Sequence, residues 1–256
     1  NIMKYGISKL SIVPIRSQSS DKGEMTNQIL FGEHFKVLEM QKKWRRIRLS
    51  HDSYEGWICN KQWMEISEDD YKELDKEVST MTTDILDIIK KEENQPIVIG
   101  SILPFYKSGH TRINNELYKF DGLITQGFVK KEKLIENAFI YLNSPYLWGG
   151  RTPFGIDCSG FTQMVYRLQG IDLPRDSYQQ AEVGNTLSFI EECEAGDLAF
   201  FDNEEGKIIH VGIILENNHI IHASGKVRID RIDQKGIFNQ EIGKHTHKLR
   251  LIKSIC

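Results

Sequence analysis

The chain has four cysteines, and Cys158 alone stands in a setting that suits a nucleophile, Gly155-Ile156-Asp157-Cys158-Ser159-Gly160-Phe161. Beyond it, Phe161, Val165 and Leu168 recur at helical spacing, and the stripe stops at Gly170. Cys158 is therefore expected in the first turn of a buried helix, with Asp157 at the cap. Unpaired N–H groups and the helix dipole at such a start favour a thiolate, so a lowered thiol pKa is expected there. A free cysteine is more often a small core hydrophobe, but Ser159 and Gly160 beside it leave the sulfur accessible. A thiol nucleophile needs a base, and the base needs a group that orients it.

His210 and His222 are the candidates, in the runs 207–215 (Lys-Ile-Ile-His-Val-Gly-Ile-Ile-Leu) and 219–224 (His-Ile-Ile-His-Ala-Ser). Both read as strands of a hairpin that turns around Glu216-Asn217-Asn218. A two-residue turn at Asn217-Asn218 would pair 213 with 222 and put the two imidazoles on opposite faces. A three-residue loop, Glu216 to Asn218, would pair 212 with 222 and put them side by side on one face. Cooperation of the two histidines thus demands an odd-numbered loop or a bulge.

The scaffold must be built from 256 residues, with 33 Lys+Arg against 36 Asp+Glu and a formal net charge of −3. That balance gives no electrostatic case for nucleic acid as the main partner. No apolar run approaches the ~20 residues that span a bilayer, which argues against a transmembrane helix. The cysteines form no C-x-x-C pair and are too few for a disulfide scaffold. A zinc set drawn from Cys158, His210 and His222, with His245 and His247 spare, lacks a metal-site spacing. The first residue is Asn1, with no basic stretch and apolar run behind it. Removal of an export signal, and hence an extracytoplasmic place, is preferred over the cytoplasm.

Residues 1–66 read as short strands broken by turns, a small barrel or sandwich. In 67–93, Tyr71, Leu74, Val78, Met81, Ile85 and Ile88 recur at steps of three and four, which predicts an amphipathic helical linker that Thr82 and Thr83 could divide. Residues 94–130 turn strand-like again around Gly109. From 131 a helical face of Leu134, Ile135, Ala138, Phe139 and Leu142 runs toward Pro145 and opens a last unit, 131–256. The basic run Lys42–Arg48 is expected to be the charged outer face of an edge strand, with Trp44 and Ile47 tucked in.

Two resemblances follow from these motifs. Val13-Pro14-Ile15-Arg16, the run Thr26–Glu33 and Gly56-Trp57-Ile58 resemble a bacterial SH3 (SH3b) domain, with 94–130 as a second, degenerate copy. The run Pro145–Gly150 (Pro-Tyr-Leu-Trp-Gly-Gly), Asp157–Phe161, Leu173–Ser177, Ala195–Leu198, His210–Ile213 and Ile221–Ala223 together resemble the NlpC/P60 family of papain-like cysteine peptidases. The resemblance implies an α+β papain-like catalytic domain behind small β-barrels. It implies a Cys158–His210–His222 triad, with His222 orienting His210, and needs no metal or cofactor. One oxyanion donor would be the Cys158 N–H, another a side chain such as Tyr146.

Members of that family cleave γ-D-glutamyl bonds in cell-wall peptides, and the SH3b units liken this chain to those that cut between γ-D-Glu and a diamino acid. The implied partner is a murein tripeptide or tetrapeptide with a free N-terminal L-Ala. By motif position, Asp176 and Ser177 would hold its amine end, Asp157 and Ser159 would flank the γ-D-Glu, and Tyr146 and Trp148 would be pocket walls. Glu24 and Tyr54 are the candidates for a wall that the first SH3b unit adds. The rivals are an acyltransferase of the wider superfamily and a wall-binding protein that acts on intact peptidoglycan or is catalytically idle.

Overall fold

The computed structural model describes residues 3–128, 130 and 132–255; Lys131, expected to open the last unit, and Cys256 lie outside the described residues. The chain divides into two units, Asn1–Phe128 and Val129–Cys256.

The first unit begins with seven strands, β1 (Lys4–Ile7), β2 (Ile12–Arg16), β3 (Met25–Leu30), β4 (His34–Met40), β5 (Trp44–Leu49), β6 (Glu55–Cys59) and β7 (Met64–Ile66). They lie in the order β3-β2-β6-β5-β4-β1-β7. Alternate residues of β2, β4 and β5 point inward, so Val13, Ile15, Phe35, Val37, Ile47 and Leu49 meet Ile29 and Ile58 in one core. The basic run is not on an edge: β5 is flanked by β4 and β6, and Arg46 and Arg48 are both held by Glu55 across the ladder. Trp44 and Ile47 are buried, as expected.

The helical linker is much shorter than its apolar spacing predicts. Helix α1 (Glu68–Lys76) is capped by the Ser67 side chain, which accepts from the N–H of Asp70. After Glu77 the chain turns to strand: β8 (Thr80–Thr82), β9 (Leu86–Lys90), β10 (Asn94–Val98), β11 (His110–Ile113), β12 (Glu116–Lys119) and β13 (Ile124–Gln126). The β-branched run Val78-Ser79-Thr80-Met81-Thr82-Thr83 has weak helix propensity. Pairing of β8 with β13 buries Thr80, Met81 and Thr82, while Val78, Ile85 and Ile88 of the supposed stripe stay exposed. The second group of strands therefore starts at β8, ahead of the expected 94. It is not separate from the first group either: Ile7, Phe31, Ile66, Tyr71 and Leu74 share one core with Ile89, Ile97, Leu103, Ile113, Tyr118 and Phe120.

The second unit opens with α2 (Glu132–Ile140), which ends short of Pro145, and a small pair, β14 (Arg151–Thr152) and β15 (Gly155–Ile156). Helices α3 (Cys158–Arg167) and α4 (Ser177–Gln180) follow, then β16 (Asn185–Leu187), β17 (Leu198–Asp202), β18 (Ile208–Leu215), β19 (His219–Ser224), β20 (Lys226–Asp233), β21 (Gly236–Asn239) and β22 (Lys244–Ser254). The strands run in the order β16-β22-β17-β18-β19-β20-β21, and β22 also pairs with β21. Strands β17 to β22 thereby close on themselves as a barrel.

Register decides what faces inward. Ile214 lies opposite Ile220 and Gly212 opposite His222; on the next ladder Ile220 faces Asp230 and His222 faces Arg228. Phe201 lies opposite His210, and Ile237 opposite His247. The face that carries the apolar cluster Ala199, Phe201, Ile214, Ile220, Ile232, Ile237 and Ile252 therefore also carries His210, His222, Arg228, Asp230 and His247. The alternate residues Val211, Ile213 and Ile221 are buried on the other face, and α3 packs on β18 and β19.

Candidate active site

Cys158 is the first residue of α3, all ten residues of which are buried. Asp157 is the cap, as the sequence predicts: its Oδ1 accepts from the Gly160 N–H at 2.7 Å, and its Oδ2 from the Gly149 N–H at 2.8 Å. The same carboxylate takes both ends of the Arg175 guanidinium, at 2.9 and 2.7 Å. Arg175 also donates to the Ser159 hydroxyl at 3.0 Å. The side chains of Asp157 and Ser159 thus brace the nucleophile's helix against the loop that carries Arg175.

The expected lowering of the thiol pKa does not hold in this resting structure. Burial pushes the Cys158 thiol up to about 12, and the Asp157 carboxylate adds to the rise. The N–H groups of Val211 and Ser159 and the Arg175 charge oppose it and lose. The ladder between β18 and β19 stops at Gly212 and His222, one residue short of Val211. There the Val211 N–H is close enough to the sulfur to oppose the rise of its pKa, which sets Cys158 near the strand that carries His210.

The hairpin has the three-residue form. Leu215 pairs with His219 and Gly212 with His222, leaving Glu216–Asn218 as the loop. Asn217 and Asn218 adopt the left-handed conformation, at φ 57° and 56°, which Asn tolerates better than most side chains. Both imidazoles consequently share a face, and His210 Nε2 lies 2.8 Å from His222 Nδ1. His222 Nε2 lies 2.9 Å from Asp230 Oδ2. Arg228 grips that carboxylate, from Nε to Oδ2 at 2.8 Å and through a terminal nitrogen to Oδ1 at 3.0 Å. His247 stacks on the His210 ring with centroids 4.2 Å apart.

Burial holds all three imidazoles neutral. The pKa of His210 falls well below its ordinary value, chiefly by burial and then by its histidine neighbours. His222 is lowered by burial against the opposing pull of Asp230, and burial takes His247 down to about 4. Burial thus favours the neutral forms of both Cys158 and His210.

A stability prediction follows with a definite sign. Once the pH falls below about 6.5, the unfolded chain binds protons on histidines that the native state keeps neutral. The stabilising difference is full above that value and is lost as the pH falls toward the folded pKa values. The thermal midpoint is expected to hold between pH ~8 and ~7 and to drop from pH ~6.5 to ~5. His247→Phe, which keeps a stacked ring, should make the drop shallower. A midpoint flat down to pH ~5 would contradict the burial-driven shifts.

Tyr146 is pinned where its N–H donates to the Gly225 carbonyl at 2.9 Å, and it bridges in parallel to Ile156 just before the cap. Its phenol is raised to about 12 by burial, with the neighbouring Cys158 and Asp157 adding to it, so the hydroxyl keeps its proton at neutral pH. Trp148 is exposed beside Gly149, whose N–H binds Asp157. Asp176 caps α4, its N–H donating to the Gln179 side chain at 3.3 Å, and α4 lies against β18. Asp176 and Ser177 are half-buried, and the preceding Arg175 ties them to the start of α3.

Glu24 and Tyr54 belong to the first unit. Glu24 is exposed just before β3, and Tyr54 is half-buried just before β6. Because Arg16 pairs with both Met25 and Trp57, the two residues share one end of that barrel.

Sequence reasoning missed Arg175, Arg228 and Asp230, and it named His247 only as a spare member of a zinc set. Arg175 lies inside a quoted motif but carried no role. Arg228 and Asp230 alternate with Val227 and Ile229 in a strand, a pattern that normally marks a solvent face.

The NlpC/P60 family profile matches residues 143–246, and that of the bacterial dipeptidyl-peptidase Sh3 domain matches residues 15–62. A gamma-D-glutamyl-L-lysine dipeptidyl-peptidase of Bacillus subtilis is 28% identical over 77% of this chain and 71% of its own length. Its namesake in Bacillus cereus is 25% identical over 88% and 75%. In fold, the chain superposes on the crystal structure of an NlpC/P60 family protein from Bacillus cereus with a TM-score of 0.81, at 18% identity, over 98% of this chain and 99% of the other.

Proposed function

The chain carries an NlpC/P60 domain and a bacterial dipeptidyl-peptidase SH3 domain, and on that premise we propose that it is a cysteine endopeptidase that cuts the bond between γ-D-Glu and the diamino acid of short murein peptides bearing a free N-terminal L-Ala. The observation that carries the reading is the buried line from His210 through His222 to Asp230, which starts one residue from Val211, whose N–H acts on the Cys158 thiol at its helix start. The names of the two Bacillus relatives support the choice of bond.

In this mechanism Cys158 Sγ attacks the γ-carbonyl carbon of D-Glu while His210 takes the thiol proton. The developing oxyanion lies within reach of the Cys158 N–H and the protonated Tyr146 hydroxyl. Collapse breaks the C–N bond, His210 returns the proton to the departing α-amine of the diamino acid, and a thioester remains. Water, deprotonated by His210, then attacks the thioester, and L-Ala-D-Glu leaves as Cys158 regains its proton. Asp176 holds the substrate's ammonium by a charge-assisted hydrogen bond, with Ser177 beside it and Tyr146 and Trp148 as walls. Asp157 and Ser159 act on the substrate through the backbone they brace.

Mass-spectrometric digestion of L-Ala-γ-D-Glu-meso-diaminopimelate and its L-Lys analogue, each beside its N-acetylated form, tests this. Release of L-Ala-D-Glu from the free-amine peptides alone, and its absence with Cys158→Ala, is expected. Asp176→Asn should raise KM for the free-amine peptide far more than it lowers kcat. Equal cleavage of acetylated peptides would remove the amine pocket and keep the peptidase. No cleavage of any peptide would overturn the proposal and favour a wall-binding role.

A further inference from the structure

We propose that Asp230, held by Arg228, is a positioning residue that fixes the protons along the histidine line and so makes Nδ1 of His210 the base. The inference rests on Cys158 and His210 being nucleophile and base. An ionised carboxylate can only accept, and Oδ2 of Asp230 receives Arg228 Nε at 2.8 Å and lies 2.9 Å from His222 Nε2. His222 must then carry its proton on Nε2, which leaves Nδ1 a bare acceptor. Nδ1 lies 2.8 Å from His210 Nε2, so His210 must donate through Nε2. The lone pair of His210 is thereby confined to Nδ1, the ring nitrogen not engaged by His222. One carboxylate at the far end of the line dictates the tautomer of two rings.

Arg228 keeps the carboxylate ionised. Burial alone would raise the pKa of Asp230, but the hydrogen bonds from His222 and Arg228 outweigh it and the pKa is lowered. Glu241 takes a further Arg228 N–H at 3.3 Å from the exposed side, which limits how far the guanidinium can swing. When His210 becomes an imidazolium during attack, the negative charge that balances it is already in place behind His222.

Two substitutions separate tautomer from charge. In Asp230→Ala the acceptor is gone. In Asp230→Asn the amide oxygen takes the position that receives two donors, so the tautomers persist while the charge is lost. Natural-abundance-independent readout comes from 15N-labelled histidine, whose ring shifts report each tautomer with no substrate present. Iodoacetamide alkylation of Cys158 at fixed pH gives a second readout that needs no substrate. Both stand even if γ-D-glutamyl peptides prove not to be cut.

For Asp230→Ala, mixed tautomers at His222 and His210 are expected, with kcat lower by about 10²–10⁴ and KM little changed. For Asp230→Asn, parental tautomers are expected, with alkylation and kcat each about tenfold slower. Parental alkylation and tautomers in Asp230→Ala would overturn the proposal, as would a loss of kcat in that same variant without any change of tautomer. Should Asp230→Ala fail to fold, Asp230→Asn decides alone: parental kcat and alkylation in it overturn the proposal, and slowed values with parental tautomers support it.

Discussion

Replacing Arg175 by methionine is expected to cost about 3–5 kcal/mol of stability and to abolish turnover, because it strands a buried carboxylate. Arg175 is 1% exposed, and its guanidinium donates to both oxygens of Asp157. Asp157 retains two backbone N–H partners without it, but these do not neutralise a full charge out of water. Lysine should not rescue the site, since a single ammonium cannot span both oxygens as the planar fork does. The informative rescue is the double variant Arg175→Met with Asp157→Ser. Serine still caps the helix and leaves no buried charge, so much of the stability should return. Activity should not, because the loop of Asp176 and Ser177 loses the Arg175 tie to the start of α3 and keeps only those that Gln180 makes to Ser159 and Thr162. Urea midpoints and peptide turnover on the three proteins check both statements. A single Arg175→Met variant with the parental urea midpoint would refute the argument.

Gly212→Ala is expected to leave a folded protein whose turnover falls about 100-fold or more, since misplacement by an ångström can cost that much. A Cβ at Gly212 would stand 2.8 Å from the Cβ of His222 and 2.8 Å from Cδ1 of Ile220. Ile220 can rotate. The Cβ of His222 cannot give way without drawing its ring off His210 or Asp230, to which both nitrogens are committed. Gly212 lies directly across the ladder from His222, two residues along from His210 on the same face, so its bareness is what lets the rings meet diagonally. The overpacking should cost about 1–3 kcal/mol of stability. Thermal melts beside kcat measurements would expose a purely global effect: a large loss of stability with normal kcat in the folded fraction.

Local geometry around Cys158 and the histidine hairpin was more legible in the sequence than pairing between distant strands. The cap at Asp157 followed from a local rule, as did the helix that starts at Cys158. The histidine pair came with its own condition, an odd-numbered loop, because strand pairing has a period of two. Architecture failed where the deciding partner lies far along the chain. Spacing alone extended α1 through Ile88, whereas pairing between β8 and β13 decides the conformation there. Nothing in the run Lys42–Arg48 reveals that β6 will cover the outer side of β5. The thiol was misjudged because a helix start is visible in sequence and the depth at which it is buried is not. Asp230 was invisible for a related reason: alternation of polar and apolar residues does not tell which side of a strand becomes the inside of a closed barrel.

Strand β22 closes that barrel by pairing with β17 and β21, and this imposes an order of events during synthesis. Cys158 emerges from the ribosome well before Lys244–Ser254, by roughly ten seconds at ordinary rates of elongation. Through that interval the barrel is open, and the stacked His247 and the ring that seats Phe201 against His210 do not yet exist. The nascent chain therefore carries Cys158 before the ring that stacks on His210 has been made. Its thiol is at its most exposed to oxidants while the chain is still being made.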